Sequence, residues 1–395
     1  LIMTINDRWL LPQGIEEALP VDAARLESMR RTLLDMYASW GYQLVMPPFI
    51  EYLESLLTGT GNDLDLQTFK LTDQLTGRMM GVRADMTPQV ARIDAHHLKT
   101  TTPTRLCYNG TVLHTRPGGF AGSRSLLQVG AELFGHGGIE SDVEVLHLMV
   151  ETLRQAGVAE IYLDLGHVGV YRGLVAQAKL DADQEAILFD ALQRKAKPEI
   201  ADILNDWSLD KAVAGMLTAL TELNGDESVL TEARAVLKHA NRSVGDALDN
   251  LQQIASLLQQ RLPDLKLHYD LAELRGYHYH TGAVFAAYVP GRGQAIAQGG
   301  RYDGIGRAFG LSRPATGFST DLRTLALLTQ QKIEGKPGVL APAEGDASLH
   351  ATIEKLRVAG ERVIIELPGQ QGDAKALGCD RRLVKNKKGW EVKSL

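Results

Sequence analysis

Polar side chains that could contact a small molecule stand in four separate segments of the chain. They are Asp85, Thr87, Gln128, Glu132, Arg275, Tyr279 and Tyr302. Gln128 and Glu132 fall on one face of a predicted strand, because apolar residues alternate with them across 125–134. Oxygen acceptors bind an ammonium group, whereas an arginine binds a carboxylate through charge-assisted hydrogen bonds.

Two other patterns look like ligand sites but favour ordinary structure. The glycine-rich segment 291–300 lacks the lysine and hydroxyl residue of a phosphate-binding loop, and strands flank it, so we expect a hairpin turn. His278 and His280 alternate like ligands on a strand, and His96 and His97 are adjacent. No cysteine or carboxylate is spaced to complete a metal shell around them. We expect neither a metal site nor a cofactor.

Composition limits the class of protein. The 395 residues are 44% hydrophobic and 23% charged, which is typical of globular domains. A net charge of -6 disfavours a dedicated nucleic-acid-binding protein. Cys107 and Cys379 have no metal-ligand spacing, so we expect free thiols. No apolar run of about 18 residues occurs and the first residues do not resemble a signal peptide, so we expect a cytoplasmic protein without a membrane segment.

Hydrophobic periodicity predicts an α+β core over residues 1–330, with a helical insertion at about 171–262. The expected helices of the core are 21–40, 141–156 and 321–328. The expected strands are 42–46, 69–72, 79–83, 125–134, 161–165, 266–269, 282–288 and 298–302. Residues 337–395 form a short C-terminal α/β region, with a helix at 347–359, a strand at 362–367 and a basic tail. The tail includes Arg381, Arg382, Lys385, Lys387 and Lys388, which we expect to be solvated surface.

Four segments, taken in order, resemble the histidyl-tRNA synthetases, a family of class II aminoacyl-tRNA synthetases. The helix and strand that end at Pro47 resemble motif 1, and 82–87 resembles a synthetase loop of sequence Leu-Arg-Pro-Glu-Gly-Thr. Residues 116–135 resemble the second half of motif 2, and 274–282 with 299–304 resemble the segments that surround bound histidine. The resemblance implies an antiparallel sheet flanked by helices, with a homodimer formed through motif 1.

The ligand of that family implies a role for the seven candidates. The four acceptors would bind the polar groups of histidine, Arg275 would donate to its carboxylate, and the two tyrosines would enclose its ring. Asp85 is shorter than the glutamate of the family, and His280 replaces a tyrosine in the ring-binding loop. A second interpretation therefore stays open, in which these groups are structural polar residues inherited from an ancestral site.

The ATP site of the synthetases is where this chain departs most. Motif 2 begins Phe-Arg-x-Glu, and counting back from Arg116 places Leu113 at the arginine and Thr115 at the glutamate. Motif 3 ends Gly-Leu-Glu-Arg, and Thr324 stands at that arginine, while Arg323 lies one residue earlier, about 100° around a helix. Loss of one preorganised donor costs about 10²–10³ in rate. We therefore expect no aminoacylation and no catalytic residues.

A synthetase fold that lacks these arginines resembles the regulatory subunits of short-form ATP phosphoribosyltransferase, as does the sequence of residues 85–89. The resemblance implies a separate catalytic chain, a hetero-octamer built from homodimers, and feedback inhibition by histidine in the first step of histidine biosynthesis. Two alternatives stay open: an active histidyl-tRNA synthetase, and a stand-alone protein that senses histidine or tRNA. Histidine could also bind at the interface with the catalytic chain. The basic loop 116–124 is either a partner or effector contact or a plain exposed loop.

Overall fold

The computed structural model describes residues 9–58, 62–118, 122–329, 337–370, 373–387 and 389–395. The chain forms two compact units, Leu1–Gln330 and Gln331–Leu395. Over the described ranges, no helix is both long enough and apolar enough to cross a membrane. Each unit has its own sheet and its own apolar core.

The first unit combines short strands with helices. Its strands are β1 (Gln43–Leu44), β2 (Ile50–Tyr52), β3 (Phe69–Thr72), β4 (Met79–Val82), β5 (Thr104–Leu113), β6 (Ser125–Phe134), β7 (Tyr162–His167), β8 (Asn224–Gly225), β9 (Lys266–Asp270), β10 (Ala283–Tyr288), β11 (Ala297–Arg301) and β12 (Ala315–Asp321). Its α-helices are α1 (Pro20–Ser39), α2 (Leu53–Leu56), α3 (Asn62–Gln67), α4 (Thr87–Arg92), α5 (Ile139–Gln155), α6 (Val168–Ala178), α7 (Ala182–Gln193), α8 (Lys197–Asp206), α9 (Lys211–Ala219), α10 (Ser228–Val236), α11 (Arg242–Arg261) and α12 (Leu322–Leu328). The unit also contains a π-helix at Ile93–Leu98 and a 3-10 helix at Ile305–Phe309.

A nine-stranded sheet in the order β1-β5-β6-β12-β11-β10-β7-β9-β8 organises this unit. Most neighbours are antiparallel, but β1 pairs with β5 and β7 pairs with β9 in parallel. The expected α+β class with a synthetase-like sheet is therefore confirmed, with the correction that the sheet is mixed rather than wholly antiparallel. A separate three-stranded sheet, β2-β4-β3, lies beside the loop that carries Asp85.

Helices α1 and α5 follow their predicted periodicity. The apolar residues at three- and four-residue spacing in α1, Leu26, Met29, Leu33 and Tyr37, are all buried. They join the main core together with α5, α11 and one face of the sheet. Burial of these stripes fixes which face of the sheet is covered by helices and which face is left for ligands.

The helical insertion runs from α6 to α11 and begins three residues earlier than expected, at Val168. Asp181 starts α7 with a reciprocal capping box to Gln184, and Asn241 starts α11 by accepting from the backbone of Val244. The preceding strand, β7, continues through Gly166 to His167, so the predicted stop at that glycine is wrong. Within the described insertion, β8 is the one strand.

Two long strands of the sheet, β5 and β12, were not predicted from the sequence. Neither strand alternates apolar and polar residues, so the period-two pattern of a half-buried strand is missing from both. In β5, Leu106 and Cys107 are neighbours in sequence, yet they pack into two different apolar clusters. A second correction concerns His278 and His280, which lie in turns between β9 and β10 and not on a strand.

The second unit contains a four-stranded sheet of order β14-β13-β15-β16 and one helix. Its elements are β13 (Gly338–Ala341), α13 (Ala347–Val358), β14 (Val363–Ile365), β15 (Cys379–Asn386) and β16 (Gly389–Ser394). Most of the basic run lies on the hairpin of β15 and β16, where Arg382, Lys385 and Lys387 are exposed, as expected of solvated surface. Lys385 pairs with Asp346 at 2.7 Å and Arg381 pairs with Glu361 at 2.9 Å, while Lys388 lies outside the described residues.

A buried ion pair joins α5 to the end of β11. Nη2 of Arg301 donates to Asp142 at 2.9 Å. Both residues are buried, with Arg301 7% exposed and Asp142 1% exposed. The same guanidinium also donates to the Ser141 hydroxyl at 2.9 Å and the Gly138 carbonyl at 3.1 Å. This cluster fixes the chain just before Tyr302, one of the candidate binding residues.

The substitution Asp142→Ala leaves the buried guanidinium of Arg301 without its carboxylate. We expect the free energy of unfolding to fall by about 3–5 kcal/mol, as for other broken buried pairs. Urea denaturation followed by circular dichroism measures this loss. The exposed pair between Arg194 and Glu199, also at 2.9 Å, supplies the control, and Glu199→Ala is expected to leave the midpoint unchanged. Equal effects of the two substitutions would contradict a structural role for the buried pair.

Candidate functional site

Two adjoining cavities open on the face of the nine-stranded sheet that carries Gln128 and Glu132. The larger has a volume of about 510 Å³ and the smaller about 300 Å³. Asp85, Arg275, Gln298 and Ser319 line both cavities, so the two form one connected site. All seven predicted binding residues lie on its walls: Asp85, Thr87, Gln128, Glu132, Arg275, Tyr279 and Tyr302.

Glu132 on β6 is the centre of the smaller cavity. The carboxylate is 1% exposed and accepts hydrogen bonds from the hydroxyls of Thr87 at 2.9 Å, Tyr108 at 2.8 Å and Tyr302. Gly317 on the neighbouring strand β12 makes room for it, because a Cβ there would lie 1.5 Å from Oε2. Tyr108 was missed by sequence analysis, since its strand β5 was not predicted.

Burial has a large effect on the acidity of this carboxyl group. Desolvation raises the pKa of Glu132 to about 8, although the three hydroxyl donors each oppose the rise. At neutral pH the empty site therefore favours the neutral acid, which can both donate and accept a hydrogen bond. A ligand with a cationic group would favour the charged form. The group is thus able to exchange a proton when the site is filled.

Asp85 and Gln128 form a second polar pair at the boundary of the two cavities. Nε2 of Gln128 donates to Asp85 at 2.7 Å, and its Oε1 accepts from the backbone N–H of Met86 at 3.0 Å. The backbone N–H of Thr87 also donates to Asp85, at 3.1 Å. The side-chain oxygen of Gln128 thus already accepts one hydrogen bond, and its amide orients the carboxylate of Asp85.

The segment between β9 and β10 supplies the third wall through Arg275, Tyr279 and His280. The ring of Tyr279 stacks on Tyr302 with centroids 4.9 Å apart. Arg275 is half exposed, pairs with Glu273 at 3.3 Å and donates to the hydroxyl of Tyr288 at 2.5 Å. Burial lowers the pKa of His280 to about 4, so that this imidazole is neutral at physiological pH.

The strand register shows which residues of β5 face the larger cavity. Val112 pairs with Leu126, and both line the larger cavity, so the side chain of Leu113 points to the opposite face. His114, the next residue on the cavity face, lines the larger cavity, and its Nε2 lies 2.9 Å from the carbonyl oxygen of Ala84. Leu113, the predicted counterpart of the synthetase arginine, therefore does not line the larger cavity. An arginine is absent from either position.

Thr115 and Thr324, the other two residues predicted to replace ATP-binding side chains, differ in position relative to the cavities. Thr115 lines neither cavity, and its hydroxyl donates to the carbonyl of Leu66 at 2.6 Å. Thr324 is buried on the wall of the larger cavity, where its hydroxyl donates to Asp321 at 2.8 Å. Asp321, which caps α12, brings a carboxylate to the same wall and was missed by sequence analysis.

The basic loop, the possible metal ligands and the glycine-rich segment are the remaining candidates from the sequence. The described part of the basic loop after β5 ends in Arg124, which donates to the carbonyl of His114 at 3.0 Å and lies over the ring of Phe69 at 5.0 Å. Residues 119–121 of that loop lie outside the described residues. Over the described ranges, no group of three His, Cys, Asp or Glu side chains could hold a metal ion. The glycine-rich segment after β10 connects the antiparallel strands β10 and β11, which confirms the hairpin.

Comparison with known proteins identifies the class to which this fold and site belong. The histidyl-tRNA synthetase family matches residues 14–325. A histidyl-tRNA synthetase from Nostoc sp. PCC 7120 superimposes with a TM-score of 0.74 at 18% identity, covering 98% of this chain and 94% of that one. The first unit is therefore a histidyl-tRNA synthetase-like domain.

Closer relatives and the second unit define the family. The domain described as "ATP phosphoribosyltransferase subunit HisZ C-terminal domain" matches residues 336–393. An ATP phosphoribosyltransferase regulatory subunit from Thioalkalivibrio sulfidiphilus is 64% identical over 395 residues, all of both chains, and one from Alkalilimnicola ehrlichii is 58% identical over 99% of this chain and 98% of its own. A Bacillus halodurans structure titled "ATP phosphoribosyltransferase regulatory subunit/histidyl-tRNA synthetase" has a TM-score of 0.82 at 26% identity, covering 93% of this chain and 95% of that chain. The chain belongs to the ATP phosphoribosyltransferase regulatory subunits, which act in histidine biosynthesis.

The substitution Glu132→Gln tests the protonation of the buried carboxyl group. Because the pKa in the folded state is raised from 4.5 to about 8, folding binds a proton between these values. The stability contributed by that proton is complete below about pH 4.5 and is lost as the pH rises through 8. We expect the variant to gain stability relative to wild type by up to about 1.4 kcal/mol per pH unit across this window. Urea titrations at several pH values measure the difference, and a constant difference would show that Glu132 is ionised throughout.

Proposed function

We propose that this chain binds histidine in the smaller cavity and transmits its presence to a separate catalytic ATP phosphoribosyltransferase chain. In this proposal the chain is required for the activity of the catalytic chain and for its inhibition by histidine. It forms no histidyl-adenylate itself. The observation that carries the proposal is the contrast between the two cavities, one of which keeps the polar groups for histidine while the other lacks the cations for triphosphate.

The smaller cavity suits the three polar parts of histidine. Asp85 offers a carboxylate for the ammonium group, and Arg275 offers a half-exposed guanidinium for the carboxylate. Glu132 lies beside the stacked rings of Tyr279 and Tyr302, in a position to bind an imidazole N–H. The hydroxyl of Tyr279 is buried without a hydrogen-bond partner among the described residues. A buried unpartnered hydroxyl costs about 1–3 kcal/mol, which a polar ligand offsets.

The larger cavity is poorly suited to ATP. Among the described residues that line it, Arg275 is the one lysine or arginine, and Asp85 and Asp321 contribute two carboxylates. The carboxylate of Asp321 accepts from the backbone N–H groups of Leu127 at 2.8 Å and Thr324 at 3.0 Å. An acidic side chain thus uses backbone donors that could otherwise bind a phosphate oxygen. Charge on the α-phosphate would develop here without a compensating donor, so adenylate formation is disfavoured.

The assembly is also part of the proposal. By family likeness we propose a homodimer as the building block, assembled with the catalytic chain into a hetero-octamer in the cytoplasm. The names of the relatives support a catalytic partner, because a regulatory subunit implies an enzyme to regulate. The net charge of -6 and the short second unit favour this role over a tRNA-sensing protein.

Reconstitution tests the regulatory role directly. The chain is purified with and without the short catalytic ATP phosphoribosyltransferase chain of the same genome, and the formation of phosphoribosyl-ATP is measured with and without histidine. We expect activity only when both chains are present, and inhibition by histidine in the mixture. Exchange of ³²P-pyrophosphate into ATP by this chain alone, with histidine, is expected to stay at background. A catalytic chain that is equally active alone, or clear pyrophosphate exchange, would overturn the assignment.

Isothermal titration of the isolated chain tests the histidine site. Replacement of one carboxyl partner by its amide, Asp85→Asn or Glu132→Gln, is expected to weaken histidine binding about 10- to 100-fold, the range for one lost strong hydrogen bond. Asp183→Asn, on the exposed first turn of α7, is the matched control and is expected to bind as wild type does. Histidine inhibition that survives in the complex while the isolated chain binds none would place the effector at the subunit interface instead.

A further inference from the structure

The segment between β9 and β10 carries three residues of the smaller cavity but is anchored from outside it. Arg275, Tyr279 and His280 face the cavity, whereas Tyr277 between them is 5% exposed and packs in the opposite direction. The ring of Tyr277 lies against Tyr171 and Phe189, with centroids 5.1 and 5.5 Å apart. Both partners belong to the helical insertion, on α6 and α7.

Polar contacts reinforce this anchoring. The hydroxyl of Tyr277 donates to Glu185 of α7 at 2.6 Å, and Arg172 of α6 donates to the backbone carbonyl of Tyr277 at 2.7 Å. The guanidinium of Arg172 also lies 4.8 Å from the centre of the Tyr277 ring. At the start of the segment, Lys195, which follows α7, pairs with Asp270 at 2.7 Å. The segment is therefore held by the insertion at two separate points.

Local geometry explains why this anchoring bears on the cavity. The carbonyl of Gly276 accepts from the backbone N–H groups of both Tyr279 and His280 at 2.8 Å, and Gly276 itself has a positive φ of 62°. These bonds make the segment a tight turn in which the residues at either side of Tyr277 move with it. A shift of Tyr277 therefore moves the stacked ring of Tyr279 and the neutral imidazole of His280.

We propose that Tyr277 is a positioning residue through which the helical insertion sets the shape of the smaller cavity and its affinity for histidine. The inference rests on the proposed histidine site and adds its regulation: the insertion and the ligand stabilise the same conformation of the turn. Coupling of this kind is reciprocal, so that a ligand in the cavity must also stabilise the attachment of α7. The contact between Tyr277 and Glu185 carries that coupling.

The test uses three variants of the hydrogen bond between the Tyr277 hydroxyl and Glu185. Tyr277→Phe removes its donor and Glu185→Ala removes its acceptor, whereas Glu185→Gln keeps an acceptor at the same place. Isothermal titration with histidine is expected to show about 5- to 10-fold weaker binding for the first two variants and wild-type binding for Glu185→Gln, in line with one lost hydrogen bond. Thermal melts of all three establish that the fold is intact.

Hydrogen exchange supplies a readout that a purely structural role would not change. Saturating histidine is expected to slow amide exchange in α7 of wild type and Glu185→Gln, but not in Tyr277→Phe or Glu185→Ala. Wild-type affinity and wild-type protection in all variants would overturn the positioning role and leave the histidine site standing. If wild type itself binds no histidine, the proposed site fails, and the positioning role fails with it.

Discussion

The burial of one carboxyl group constrains most of this site. Glu132 lies in the middle of the nine-stranded sheet, 1% exposed, and every polar contact it makes comes from another segment of the chain. A buried carboxyl group without donors would be strongly destabilising, so the hydroxyls of Thr87, Tyr108 and Tyr302 must reach it together. The missing side chain at Gly317 is equally necessary, because any Cβ there would occupy the position of the carboxylate.

The same sheet carries two cavities with different electrostatic character. The smaller keeps acceptors, aromatic rings and one arginine, as a zwitterion requires, while the larger presents Asp321 where a triphosphate would need cations. Asp321 caps α12 and accepts a hydrogen bond from β6, so its carboxylate stabilises the fold at the wall of the larger cavity. The two cavities thus differ in electrostatic character although they share one scaffold and several lining residues.

The helical insertion gives this scaffold a route by which a filled cavity can be sensed elsewhere. Its helices α6 and α7 form hydrogen bonds with Tyr277, in the turn that also contains Tyr279 and His280. Among the described residues, none of α7 lines the smaller cavity. A regulatory subunit needs such a connection, because its ligand must alter a surface that the partner contacts. In the synthetase-like fold, the anchoring of Tyr277 places that connection within one short segment.

The sequence by itself determined the α+β class and the face that Gln128 and Glu132 share on β6, since alternation and helical period are local properties. It also showed directly that position 324 carries a threonine and not an arginine. The tertiary structure alone decided which elements meet. It showed that His114 rather than Leu113 faces the cavity, that Tyr108 completes the contacts of Glu132, and that the basic C-terminal residues form a hairpin. Periodicity gives the orientation of a side chain within its own element, whereas strand register, burial and the resulting pKa depend on neighbours that are distant in sequence.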